Sequence, residues 1–138
     1  MDIGKSKLDA LMEMEERPLS FDLMDKSTAE PFKAADGSAV TLTVVGQDSR
    51  RVRAALDAGT RKLLASRKAK ATPQDLHENR INVAASAVIA WYGLESDGSE
   101  LPCTSENVRG LLSVPDFLRQ VEEKVNEHSD FFVTRSGN

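Results

Sequence analysis

Apolar residues along the chain follow two periods, alternating every second position early on and recurring every three to four positions later. The alternating part is residues 38–45, where Val40, Leu42 and Val44 point one way and Thr41 and Thr43 the other, which predicts a strand with one covered face. Residues 32–35 precede it across Asp36-Gly37, a pair that tolerates positive φ at both central positions of a hairpin turn. A lone hairpin is barely stable in water, so a short strand around Phe21 and Leu23, or a helix, must complete the layer. Residues 25–31 between them are polar and read as loop.

The helical period appears first at 5–16, where Leu8, Leu11 and Met12 share a side; the segment is short and Pro18 stops it, so a marginal helix or an arm is expected. Asp48 or Ser49 caps a second helix running to about Ser66, with Val52, Ala55 or Leu56, Gly59 and Leu63 as its apolar stripe. Thr72-Pro73-Gln74-Asp75 combines a hydroxyl cap, a proline at the first helical position and an acid in the first turn. That start predicts a central helix reaching Trp91 and Tyr92, with Tyr92 in the core by helical phase and Gly93 as the left-handed residue after its end. Asp97-Gly98 marks a turn, Thr104 and Ser105 cap a short helix to Leu112, and Val114-Pro115 opens the last one, where Phe117, Leu118, Val121, Val125 and His128 recur. Phe131 and Phe132 close it. The expected fold is α+β, an N-terminal β-hairpin or three-stranded antiparallel meander packed on about four α-helices. Residues 1–18 form an arm or marginal helix, 19–134 a single domain and 135–138 a frayed tail.

Length and composition narrow the function by elimination. The chain has 138 residues, enough for one core but not two, and its hydrophobic content of 40% and charged content of 29% suit a folded soluble domain. Its one cysteine, Cys103, has no partner for an intramolecular disulfide and no second soft ligand beside it, which points to a reducing compartment and a cytoplasmic location. No stretch approaches the roughly 20 apolar residues that span a bilayer. His77-Glu78 lacks the second histidine of a zinc-protease helix, since Ile81 occupies that position, and no phosphate-binding glycine motif or nucleophile elbow occurs. The expectation is therefore no enzyme, no catalytic residue, no metal and no cofactor.

Charge and aromatic residues point to surfaces instead. Residues 48–70 hold eight basic side chains against Asp48 and Asp57, so this stretch is +6 and the remainder of a chain of net charge −4 is −10. Such polarity favours association with an acidic surface, including self-association. Arg50, Arg51 and Arg53 on this helix, with Trp91, Phe131 and Phe132 as ring anchors, are the candidate partner-binding residues. Nucleic-acid binding by the basic helix 48–70 is the reading that an acidic pI of about 5.2 and the lack of interleaved aromatics argue against.

Several short pieces also occur in a particular order. These are Val44-Val45-Gly46-Gln47-Asp48-Ser49-Arg50, then Trp91-Tyr92-Gly93-Leu94, the Asp97-Gly98 turn, and Ser105-Glu106-Asn107 through Pro115 to Phe131-Phe132. In order and spacing they resemble the short tail assembly chaperones of long-tailed bacteriophages, over roughly residues 21–132. The resemblance implies a small non-enzymatic protein of the host cytoplasm that binds the tape-measure protein, keeps its long helices soluble and helps recruit the tail-tube protein. The chain departs from that pattern in its longer N-terminal arm and in Cys103, where an aromatic or small apolar residue would be natural. A permanent head or tail accessory protein of the virion and a small nucleic-acid-binding regulator are the alternatives.

Overall fold

The computed structural model describes residues 4–65 and 71–136, with 129–136 as helical backbone alone. The elements in chain order are α1 (Lys5–Met14), β1 (Leu19–Asp22), β2 (Met24–Asp25), β3 (Glu30–Pro31), β4 (Thr41–Val44), α2 (Arg50–Ala65), α3 (Pro73–Ala87), β5 (Val88–Tyr92), β6 (Glu95–Ser96), β7 (Ser99–Glu100), α4 (Ser105–Leu112) and α5 (Pro115–Ser136). This is an α+β fold: a three-stranded antiparallel sheet of order β1-β4-β5, two small two-stranded ladders and a helical layer.

The alternation of residues 40–44 works as its spacing predicts. Leu42 and Val44 are fully buried, whereas Thr41 and Thr43 are partly exposed, and Ser20 and Thr43 hydrogen-bond across the outer face at 2.7 Å. The third strand departs from expectation. The predicted helix through Tyr92 ends at Ala87, and Val88–Tyr92 pairs with β4, setting Leu42 opposite Trp91 and Thr41 opposite Tyr92. The register shifts between Thr43 and Val44, whose partners are Ala90 and Val88, so Ile89 is the extra residue of a bulge. Val88, Ile89, Trp91 and Tyr92 are β-branched or aromatic and favour a pleated surface over the interior of a helix. Gly93 does take positive φ, at +90°, but after a strand; a Cβ there would lie 2.8 Å from the Ala34 Cβ. Tyr92 faces outward and is 48% exposed, contrary to its helical-phase assignment to the core.

The two turn dipeptides differ. Asp97 and Gly98 both take positive φ, as a tight turn between β6 and β7 requires. At Asp36-Gly37 only Gly37 does so, and Asp36 instead accepts bonds from the amide and hydroxyl of Ser38. Residues 25–31, read as loop, include the short β2–β3 ladder.

Thr72 caps α3 as its sequence predicts, in a reciprocal box with Asp75, and Thr104 caps α4. α3 packs on α2, α4 and α5, and α5 reaches β4. Leu112, Leu118 and Val121 join Leu23, Leu42 and Val44 in one core, and Phe32 meets Phe117 edge to face with centroids 5.6 Å apart. Gln120, buried on α5, gives its amide to Met24: the side-chain oxygen accepts from Met24 N at 2.9 Å and the nitrogen donates to Met24 O at 3.0 Å. In effect a side chain completes the ladder of β2.

Residues 15–17 hold α1 in place. Gly46 N donates to Glu15 O, Asp48 N to the Glu15 carboxylate, Arg50 N to the Glu16 carboxylate, and the fully buried His128 donates from Nε2 to Arg17 O at 2.5 Å. A Cβ on Gly46 would stand 1.8 Å from Glu15 Oε2 and 2.8 Å from His128 Nδ1, so only glycine fits. Gly46→Ala should therefore cost about 2 kcal/mol. Gly110→Ala, on a helix with open space around the new methyl, should stabilise by about 0.5–1 kcal/mol. Urea denaturation of the two variants checks both signs.

Candidate functional site

The three arginines proposed from the sequence share a helix but not a surface. The Arg53 guanidinium lies 3.6 Å from Asp48 in an exposed pair, which contributes little on its own. Arg51 turns toward α3 and donates from Nε to Ser86 O at 3.0 Å, satisfying a carbonyl at that helix's end. Arg50 lines a cleft beside α1. Arg67, Lys68 and Lys70 of the basic stretch lie outside the described residues.

The proposed rings divide as well. Trp91 is half-buried and its indole N–H donates to Leu101 O at 2.7 Å, so it joins β5 to the segment before α4 instead of standing free. Phe131 and Phe132 fall on the last turns of α5, and their side chains are outside the described residues.

A stronger feature is apolar surface that the domain leaves bare. On α1 no residue is buried, and Leu8, Leu11 and Met12 are 45, 47 and 66% exposed. They line an open cleft of about 390 Å³ whose other wall includes Asp48 and Arg50. Most of the apolar side of α2 is likewise uncovered, since Val52 alone on that helix is buried while Leu56, Leu63 and Leu64 are exposed. Leu56 belongs to a second groove, of about 550 Å³, between α2, α3 and α5, with Val52, Val83, Ala84 and Val125 as its apolar lining. Arg80 and Glu122, joined in a two-pronged ion pair, stand in its wall. Both openings reach the first turn of α2 and the residues before it, at Asp48 and Arg50 for one and Gln47 and Val52 for the other. Scattered exposed leucines are ordinary on a monomer; runs on two adjoining helices bordering grooves are the pattern of a docking surface.

Spacing places Leu8, Leu11 and Met12 on one side of a helix without marking that side as a contact surface. The available signal was the helix's shortness and the acidic residues that follow it. On α2 the spacing marks the apolar stripe but not the side to which it faces.

Among the described residues no group of three or more His, Cys, Asp or Glu side chains is placed to hold a metal, and no helix is long and apolar enough to cross a membrane. Cys103 is exposed; partial burial of its thiol raises its pKa, with the Arg51 charge acting in the opposite direction. His128 is engaged with Arg17. No protein-family model matches the chain, and searches of curated proteins and of solved structures also give no match.

One titratable cluster has a defined pH signature. The Ser38 hydroxyl, then the Tyr92 hydroxyl, then the Ser38 amide hold Asp36 down to about 2 from an ordinary 3.8. Because the folded pKa is depressed, the stabilisation from these bonds is present above pH 3.8 and is lost as pH falls through about 2. The carboxyl resonance of Asp36 should titrate near 2 in the folded protein and move toward 3.8 in Tyr92→Phe, as read by NMR.

Proposed function

We propose that this domain is a non-enzymatic tail assembly chaperone, which binds exposed helices of the tape-measure protein in the host cytoplasm and assists the addition of tail-tube protein. The observation that carries the binding role is the bare apolar side of α1, held against the domain by residues 15–17 but with none of its own residues buried. The tail-assembly part of the reading rests on the ordered motifs from Gly46-Gln47-Asp48-Ser49 to Phe131-Phe132.

The physics suits a removable coat. A long helix with an uncovered apolar stripe aggregates, and a second helix laid against that stripe covers it by the same i, i+3, i+4 contacts that pack helices in a core. The α1 stripe and the groove at Leu56 offer two adjoining contact sites of modest size, and modest attachment at several points allows later release. Burial of a leucine contributes about 1.5–3 kcal/mol, so two or three such anchors give useful but reversible affinity.

Co-expression with a helical tape-measure fragment tests the proposal. The wild-type chain should keep the fragment in the soluble fraction. Leu8→Glu with Leu11→Glu should lose at least half of that effect while leaving thermal stability within about 0.5 kcal/mol of wild type, because both positions are exposed. An unaltered soluble yield with the double variant removes α1 from the site.

A further inference from the structure

The sheet has an open outer edge at β1. Leu23 N donates to Val40 O at 2.8 Å, so Leu23 turns its amide toward the β4 side, and the alternation of an antiparallel ladder turns Phe21 and Leu19 the same way. Ser20 and Asp22, at the positions between, point their N–H and C=O away from β4. Both are exposed, and no hydrogen bond from the described residues reaches those outward groups. Beside them an open cleft of about 360 Å³ lies between β1 and α5, with Phe21, Asp22, Gln120 and Lys124 in its walls. The open stretch is bounded at each end. Met24, next in the outward series, has its N–H and C=O taken by the Gln120 side chain, and Pro18, the preceding member, has no N–H to give.

From this edge we infer that two copies of the chain pair through β1, antiparallel about a two-fold axis at Phe21, joining their three-stranded sheets into one. In that register Ser20 stands opposite Asp22 of the second copy, each donating to and accepting from the other, and symmetry repeats the exchange on the far side of the axis. The limits of the edge select this occupant. The register places Pro18 of the second copy opposite Met24, so the residue without an N–H meets the residue whose groups are already bonded. A foreign strand running past these limits would bring an N–H against the Met24 carbonyl that Gln120 holds, and a C=O against Pro18, which donates nothing. Side chains agree with the register. Leu19, Phe21 and Leu23 stay on the inner face, where Phe21 meets its own copy at the axis, and Ser20 and Asp22 stay on the outer face with Thr43. Leu19 and Phe21, only partly buried in the single copy, gain cover. So short a ladder makes a weak dimer that forms and parts readily. Residues 20–22 line neither the α1 cleft nor the groove at Leu56, so the pairing stands independently of the proposed function and leaves both surfaces open in each copy.

Sedimentation velocity and amide exchange of the full chain test the inference together. As concentration rises from micromolar to submillimolar, the mass should move from 15.1 kDa toward twice that value. Over the same range the amides of Ser20 and Asp22 should slow in exchange by about tenfold or more, whereas those of Phe21 and Leu23, directed at β4, should not change. Ser20→Pro removes an outward N–H without touching the ladder to β4, a change that edge strands accept, and should weaken dimerisation by about tenfold or more. Ser20→Ala, which keeps the N–H, should leave it unchanged. A constant monomer mass overturns the inference, as does undiminished dimerisation of folded Ser20→Pro or a dimer whose Ser20 and Asp22 amides exchange as fast as before. Loss of the dimer in Leu8→Glu with Leu11→Glu overturns it in favour of self-association through α1. Slowed exchange at Ser20 and Asp22 only on addition of a tape-measure fragment, with the chain otherwise monomeric, overturns it in favour of an extended partner segment. The exchange readings use the unaltered chain and so decide the matter even where Ser20→Pro fails to fold.

Discussion

Strand β4 is the constraint around which the domain is organised. It pairs on one edge with β1 and on the other with β5, although residues 45–87, with two helices, separate it from the second partner. Its inner side chains, Leu42 and Val44, are fully buried, so the sheet cannot slip by one residue without turning both toward water. Because β5 follows directly from α3, the pairing also fixes the end of that helix, and α3 is the element on which α2, α4 and α5 pack. Loss of either pairing would release the helical layer as well as the sheet.

A second constraint decides what the domain shows to its surroundings. The buried His128 and the backbone around Gly46 bind the carbonyls and carboxylates of residues 15–17, and that polar clamp fixes the base of α1 without burying the helix itself. An amphipathic helix too short to be stable alone is thereby kept beside the domain with its apolar side uncovered. The adjoining groove at Leu56 lies on α2, whose own position follows from Ser49 and from Gly59, which allows the close approach of Asn79. Rigid framework and bare surface are thus built from neighbouring stretches of chain.

Much of the framework was legible because its signals are local. Thr72-Pro73 and Thr104 announce helix starts by hydrogen bonds made within a few residues, and the alternation of Val40, Leu42 and Val44 announces a strand by spacing alone. Residues 88–92 look helical in sequence because an apolar run next to a periodic segment fits either structure, and only pairing with β4, distant in sequence, decides between them. The partner-binding residues were less legible for a similar reason. Whether a stripe of leucines faces a core or solvent depends on how many neighbours the fold supplies, and on α2 Val52 is buried whereas Leu56 and Leu63 are exposed. The grouping of Gln120 with Met24 likewise joins residues far apart in the chain, with no spacing rule to announce it.

The central claim is that the molecule works by lending apolar helical surface to another chain. Amide hydrogen exchange of the full chain, alone and with a tape-measure fragment, tests it most directly. The account predicts slowed exchange in α1 and in the first turns of α2, with β1, β4 and β5 unchanged. Unaltered exchange in both helices at saturating fragment, or protection confined to the sheet, would contradict it.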